Sequence, residues 1–173
     1  RNEAEVAKLG AVLATTGNQV GMTAQELEAY ADTLEKTKLV QAEAAMGAAS
    51  VAIAMGTIKG DNLKGVLAVS ADIARVLGKD MQSVTQAIAK AFDAGGSIDS
   101  LKKIGVIVDE QTQAYVENLR AQGKETEAQA VLVQELESRY KGVADAMGDT
   151  LGGSLERVNI YWSDFTENVV GSL

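Results

Sequence analysis

The sequence predicts an all-α fold, a compact bundle of about six to eight short helices followed by a longer C-terminal helix. Of the 173 residues 46% are hydrophobic but only 4% are aromatic, and alanine is abundant, so helix formers outnumber strand formers. Proline, the strongest helix breaker, is absent from the chain. Apolar residues recur every three or four positions between glycines and acids typical of helix ends. One core suits this length, so we expect residues 1–173 to form a single domain.

The N-terminal third predicts three helices. Apolar residues between Val6 and Leu13 indicate a weak first helix that ends near Gly17, and residues 1–22 are expected to be peripheral or extended. Thr23 and Glu26 have the spacing of a capping box and start the second helix. The third helix, about residues 40–57, is lined by small residues that favour tight packing in a bundle. The inner face of the second helix is predicted to contain Leu27, Tyr30, Ala31 and Leu34.

Two strongly periodic helices follow. Asp61 is predicted to cap the first and Gly78 to end it. Asp80 is predicted to cap the second, which Gly95-Gly96 closes. Their predicted inner faces are Leu63, Val66, Leu67, Ser70, Ile73, Ala74 and Leu77, and then Met81, Val84, Ile88, Ala91 and Phe92.

The next segment predicts a short helix and then a helical hairpin. Ser97 caps a helix of little more than one turn through Lys103, and Gly105 permits a left-handed conformation. Val106 and Val108 are then expected to face the core and Ile107 to face outward. Asp109 is predicted to start the first helix of the hairpin, with Val116 and Leu119 facing inward and Gly123 beyond its end. The second helix is expected to end before Gly142, and its inner residues are Leu132, Leu136 and Tyr140.

The last segment, residues 150–173, is predicted to be a peripheral or extended helix with a narrow apolar stripe. Spacings of four and three residues alternate along it, which is the heptad spacing of helices that pack against another helix. This C-terminal seam could contact a second copy of the chain or another protein, or it could pack on the bundle's own core, with Gly152-Gly153 as the bend. The seam residues are Leu151, Leu155, Val158, Trp162, Phe165 and Val169.

The composition provides few of the residue types that catalysis uses. Histidine and cysteine are absent, which excludes Ser/His/Asp and Cys/His catalysis and thiolate or imidazole metal sites. Between Gly60 and Gly65 the glycine spacing resembles a phosphate loop, but the lysine is missing. We therefore expect no enzyme activity, cofactor or metal. The remaining carboxylate pairs lie on predicted helix starts or polar faces, where ordinary solvation explains them: Asp109-Glu110, Glu135 with Glu137, and Asp145 with Asp149.

The net charge of −8 opposes binding to nucleic-acid phosphates. The basic pair Lys102-Lys103 fits a solvated helix end, where cations complement the helix dipole. The longest uncharged run, Ala44 to Ile58, is too short to span a bilayer and lacks strongly apolar residues, so no membrane segment is predicted. Because the first residue is Arg1 rather than Met, we expect the sequence to be a segment of a longer chain.

A series of short phrases resembles the tail-length tape measure proteins of long-tailed bacteriophages and prophages. The resemblance extends from the helix start at Thr23 to Gly152. It departs from the family pattern at Ala94-Gly95-Gly96, where relatives usually carry a proline, and at Val108, where an aromatic residue is usual. The phrases are Ala71-Asp72-Ile73-Ala74, Leu77-Gly78-Lys79-Asp80, Ala89-Lys90-Ala91, Leu101-Lys102-Lys103-Ile104-Gly105-Val106, Asp109-Glu110-Gln111, Ala128-Gln129, Glu135-Leu136-Glu137 and Tyr140-Lys141-Gly142.

The resemblance implies a non-catalytic structural protein that takes part in tail assembly and sets tail length, because tail tube protein polymerises around tape measure proteins. It also implies contacts with the tail tube protein, tail assembly chaperones and the baseplate or tail tip. The implied location is the virion tail, and the host cytoplasm during assembly. We interpret the segment as a folded module toward the N-terminal part of the longer protein. The alternative is a bacterial helical adaptor or scaffold module unrelated to phage.

Overall fold

The computed structural model describes residues 3–16 and 20–151 of the chain. Within that part the chain contains helices and no strand, so the all-α prediction is confirmed. The helices are α1 (Glu3–Thr15), α2 (Ala24–Lys38), α3 (Ala42–Met55), α4 (Asn62–Leu77), α5 (Met81–Ala91), α6 (Asp99–Lys102), α7 (Glu110–Ala121) and α8 (Glu125–Leu151).

Helix α4 lies at the centre of the bundle. It contacts α2, α3, α5 and α8, and its contact with α8 is the most extensive between any two of the eight described helices. Helix α3 packs on α5, α1 and α2, while α7 packs on α8. Alanines fill much of α3, which lets its neighbours approach closely. The largest fully buried side chains are Leu9, Leu27, Leu34, Met46, Ile58, Leu63, Leu67, Ile73, Ile88, Leu101, Leu132 and Leu136.

Side-chain caps fix three of the predicted helix starts. Thr23 accepts a hydrogen bond from the backbone N–H of Glu26, and Asp80 and Asp109 accept equivalent bonds from the third residue of α5 and of α7. The prediction for Asp61 was wrong. Asp61 precedes α4, but its backbone is already helical (ψ 0°) and its side chain makes no capping bond. Asn62 instead donates to the carbonyl oxygen of Thr126 on α8, at 3.0 Å.

The loop after α5 departs from the expected family pattern and is held by one arginine. Arg120 of α7 donates hydrogen bonds to the carbonyl oxygens of Ala91, Asp93 and Gly96, at 2.8–3.0 Å. A Cβ atom at Gly96 would overlap the carbonyl oxygen of Lys90, so this position requires glycine. The shape of the central loop therefore follows from the hydrogen bonds of Arg120 and from the lack of space for a side chain at Gly96.

The predicted turn after α6 is confirmed. Gly105 has a positive φ of 89°, Val106 and Val108 are buried, and Ile107 is 41% exposed. The backbone N–H of Ile107 donates to the hydroxyl of Tyr140 on α8. This bond ties the loop to the last helix of the bundle.

Helix α8 does not end before Gly142, as the sequence predicted, but continues to Leu151. Gly142 lies inside the helix, where a Cβ would meet nothing within 4 Å. A glycine inside a helix costs about 1 kcal/mol. Tyr140 and Ala144 are buried on either side of it, and this burial offsets the cost. Of the C-terminal seam, Leu151 is the last residue of α8, and the other five residues lie outside the described part of the chain.

Candidate functional site

The C-terminal end of α2 meets α4 and α8 in a cluster of four charges. The ammonium nitrogen of Lys38 lies 3.1 Å from a carboxylate oxygen of Asp72 on α4 and 3.6 Å from one of Asp145 on α8. Lys141, one turn before Asp145, approaches it to 2.8 Å. Two cations and two carboxylates therefore join three helices that are distant in the sequence.

The inner pair of this cluster is buried. The side chain of Lys38 is 11% exposed and that of Asp72 is 3% exposed, so neither charge keeps its full hydration. Burial raises the pKa of Asp72 above its ordinary value of 3.8, assisted by the charge of Asp145 and opposed by Lys38. The net rise means that burial destabilises the ionised carboxylate of Asp72 more than the charge and hydrogen bond of Lys38 stabilise it.

The outer carboxylate behaves differently. Burial acts to raise the pKa of Asp145, but its hydrogen bond from Lys141 and the charges of Lys38 and Lys141 together lower it. Asp145 is therefore a carboxylate held ionised by two lysines. Such a group is poorly suited to donate a proton near neutral pH.

The connection between α2 and α3 lies beside this cluster and is unusual at Leu39. Leu39 adopts a left-handed conformation (φ 57°), the single non-glycine residue with positive φ in the described part of the chain. That conformation costs about 1–2 kcal/mol for a residue with a Cβ. Polar bonds from both sides hold it. Arg75 donates to the carbonyl oxygens of Lys38 and Leu39, and Glu35 accepts from the backbone N–H of Ala42.

Leu39 is 46% exposed and borders two clefts. The larger cleft, about 660 Å³, contains the charge cluster. The smaller, about 310 Å³, lies between the starts of α3 and α5 and the end of α4. We call Leu39 and these two clefts the Leu39 surface. Besides Leu39 it is lined by Lys36, Thr37, Lys38, Asp72, Lys141, Ala144 and Asp145, and by Val40, Gln41, Ala44, Ala74, Arg75, Lys79, Asp80 and Met81.

The carboxylates singled out in the sequence take part in helix capping, hydrogen bonds and ion pairs, and Asp109 and Glu135, from two of the pairs, lie within hydrogen-bonding range of each other. Asp109 caps α7, and hydrogen bonds from Thr112 lower its pKa. Glu135 pairs with Arg139 one turn away, at 3.4 Å. Asp145 belongs to the charge cluster. The basic residue Lys102 faces Asp99 across one helical turn, at 3.8 Å, as expected for a solvated helix end.

The sequence reasoning missed Lys38 and Asp72 as partners. They are 34 positions apart, so no local spacing links them. One signal was available, because Asp72 is an acid between two buried residues, Ala71 and Ile73, on a helix whose inner face is apolar. A buried carboxylate is rare without a partner. Its position alone could have indicated that a cation must reach it.

Residues 3–16 and 20–151 contain no group of three or more His, Cys, Asp or Glu side chains that could hold a metal ion. In the same part of the chain no helix is long and apolar enough to cross a membrane. The polar clusters that are present pair their charges internally. The ion pairs of Lys38 attach helices to one another.

Comparison with known proteins gives one family assignment. Neither the curated proteins nor the solved structures contain a match to this chain. A family model described as prophage tail length tape measure protein matches residues 1–112. The match includes α1, which the resemblance based on sequence phrases did not cover, and it stops after the start of α7. Since it spans more than half of the sequence, the chain belongs to the prophage tail length tape measure protein family.

Proposed function

We propose that this chain is a structural, non-catalytic module that acts in phage tail assembly, within a protein that determines tail length. Membership of the tape measure family is the observation that carries the proposal. The proposed location is the virion tail, and the host cytoplasm while tails assemble. The proposed partners are the tail tube protein, tail assembly chaperones and the baseplate or tail tip.

The folded bundle favours a role in assembly or docking over a role as a plain spacer. A helix advances about 1.5 Å per residue, so the whole chain drawn out as one helix would measure roughly 260 Å. Instead, α1 to α8 fold back on one another around α4. Caps, buried charges and Arg120 hold the connections between them. A folded module of this kind suits docking, because it keeps the shape of its surface, and it is poorly suited to spanning a long distance.

The C-terminal seam is the proposed contact for other tail components, including a second copy of the chain. Its apolar residues have the spacing that helix pairs use. In a growing tail, where copies and partners are concentrated, a narrow apolar stripe would be covered by another helix.

Deletion of residues 60–142 in frame from the full tape measure protein tests the proposal. The deletion removes α4 to α7 and most of α8, and we expect tail assembly to fail because the module is destroyed. Electron microscopy of lysates would count and measure the tails. Normal numbers of tails that are shorter by about 125 Å, the helical length of the deleted residues, would show a plain spacer and contradict the proposal.

A further inference from the structure

The Leu39 surface has the features of a docking site. A left-handed leucine that is 46% exposed lies between two clefts, although asparagine or glycine would fit that backbone with less strain. In a chain with a net charge of −8, the clefts are lined by five cations and three carboxylates, and of these Lys38 and Lys141 pair with Asp72 and Asp145. An exposed apolar side chain inside a basic rim suits an amphipathic segment with acidic residues.

The chain itself continues from the edge of this surface. Asp145, which contacts Lys38 inside the larger cleft, is followed after six positions by Leu151, about 9 Å farther along α8. Gly152 and Gly153 come next and permit a change of direction. Beyond them each residue can extend the chain by about 3.3 Å, so the middle of the seam is within reach of Leu39.

The segment after the two glycines matches the surface in charge and polarity. Residues 154–173 contain the acids Glu156, Asp164 and Glu167 and the single base Arg157. The same segment carries the apolar seam from Leu155 to Val169. A net acidic, amphipathic segment therefore begins next to a net basic surface with an exposed leucine.

We propose that residues 154–173 dock on the Leu39 surface of their own chain and cover Leu39 with the C-terminal seam. Tethering gives the segment an effective concentration in the millimolar range, which favours the contact within one chain over the contact between dilute copies. A tail partner that binds the seam would then have to displace it from the bundle. This inference goes beyond the proposed tail role and does not depend on it.

Trp162 provides the test, because it is the only tryptophan in the sequence and belongs to the seam. Leu39→Asn removes the apolar side chain but suits the left-handed backbone, so the bundle itself should remain folded. Ile107→Asn is the matched control, since Ile107 is similarly exposed and lies on the loop before α7, away from the lining of the clefts. Circular dichroism would confirm that both variants retain their helix content.

The unmodified chain at micromolar concentration should be monomeric by light scattering, with the blue-shifted emission of a buried indole that does not change on dilution. Leu39→Asn should shift the emission to the red and raise quenching by acrylamide several-fold, and Ile107→Asn should change neither. Water-like emission in the unmodified chain, or buried emission that Leu39→Asn leaves unchanged, would overturn the proposal. Burial that disappears on dilution together with a dimeric mass would place the contact between copies and also refute it.

The double variant Lys36→Glu, Lys79→Glu tests the charge argument separately. Both lysines line the Leu39 surface, one in each cleft. Reversing them should release Trp162 more at low ionic strength than at high, because salt screens the new repulsion. Emission that stays buried at low salt would count against docking of the acidic segment at this site.

Discussion

At the scale of single residues, Lys38 and Asp72 help to fix how the helices are positioned around a core of small apolar side chains. Alanine packing alone allows helices to rotate or slide with modest cost. A lysine of α2 that must reach a carboxylate of α4 and another of α8 fixes their relative positions. We expect the pair to contribute more to the specificity of the bundle than to its stability, because the cost of burying the two charges offsets their attraction.

Replacing Lys38 by Met should therefore destabilise the protein much more than replacing Asp72 by Asn. The first change leaves a buried carboxylate without its cation, at a cost of about 3–5 kcal/mol in the free energy of unfolding at pH 7. The second leaves a neutral group of the same shape, and Lys38 keeps the carboxylate of Asp145 as a partner at 3.6 Å. Urea unfolding would measure both. Lys102→Met, which removes an exposed pair, is the control and should change stability by less than about 0.5 kcal/mol.

The cost of Lys38→Met should depend on pH. Because the folded-state pKa of Asp72 lies above its ordinary value of 3.8, the protonated form favours folding, and that contribution is lost as pH rises through the folded pKa. Removing Lys38 raises that pKa further. The destabilisation should thus be largest at neutral pH and shrink as pH falls toward 4. A cost independent of pH would contradict the assignment of the buried charge to Asp72.

At the scale of helices, two aspartates with the same apparent role differ in what they do. Asp80 precedes α5 with extended backbone and accepts hydrogen bonds from both the hydroxyl and the backbone N–H of Ser83. Asp61 precedes α4 with helical backbone and accepts no capping bond. The difference lies in the turn before each helix. An aspartate in the sequence predicts a cap only where the chain approaches the helix in an extended conformation.

We expect Asp80→Ala to cost about 1 kcal/mol in the free energy of unfolding, and Asp61→Ala to cost little. The hydrogen bonds from Ser83 hold the pKa of Asp80 below 3.8, so its contribution is present above that pH and is lost as pH falls through the lowered value. Thermal unfolding of both variants at pH 7 and pH 3 would measure this. Equal losses for Asp80 and Asp61 would show that the capping geometry is wrong.

Most helix boundaries could be predicted because their signals are local. Thr23, Asp80 and Asp109 cap the helices that the sequence assigned to them, and Gly78 ends α4 in a left-handed conformation. The stop expected at Gly142 was wrong because the contacts that carry α8 past it involve distant residues. Tyr140 reaches the loop after α6, and Asp145 reaches α2. A glycine signals a helix end only when no such contacts continue the helix.

At the scale of the whole molecule, the region matched by the family model ends earlier in the sequence than the folded bundle does. The matched region ends at residue 112, yet α8 packs along α4 and buries Leu132 and Leu136. The last helix of the bundle therefore belongs to the fold although it lies outside the matched region. The Lys38–Asp72–Asp145 cluster crosses this limit as well. It could not be predicted from sequence, because pairing between α2, α4 and α8 becomes visible only in the assembled bundle.

We propose that the tail depends on the folded bundle of this segment rather than on the number of its residues. Leu136 is fully buried between α8 and the rest of the core, so Leu136→Asp should unfold the bundle without changing chain length. Gln134→Asp, on the exposed side of the same helix, is the control.

The direct measurement is the number and length of tails, seen by electron microscopy, in phage whose tape measure protein carries Leu136→Asp. We predict that few tails form, while Gln134→Asp gives normal numbers. Normal numbers of full-length tails with Leu136→Asp, after purified protein has been shown to be unfolded, would contradict the account.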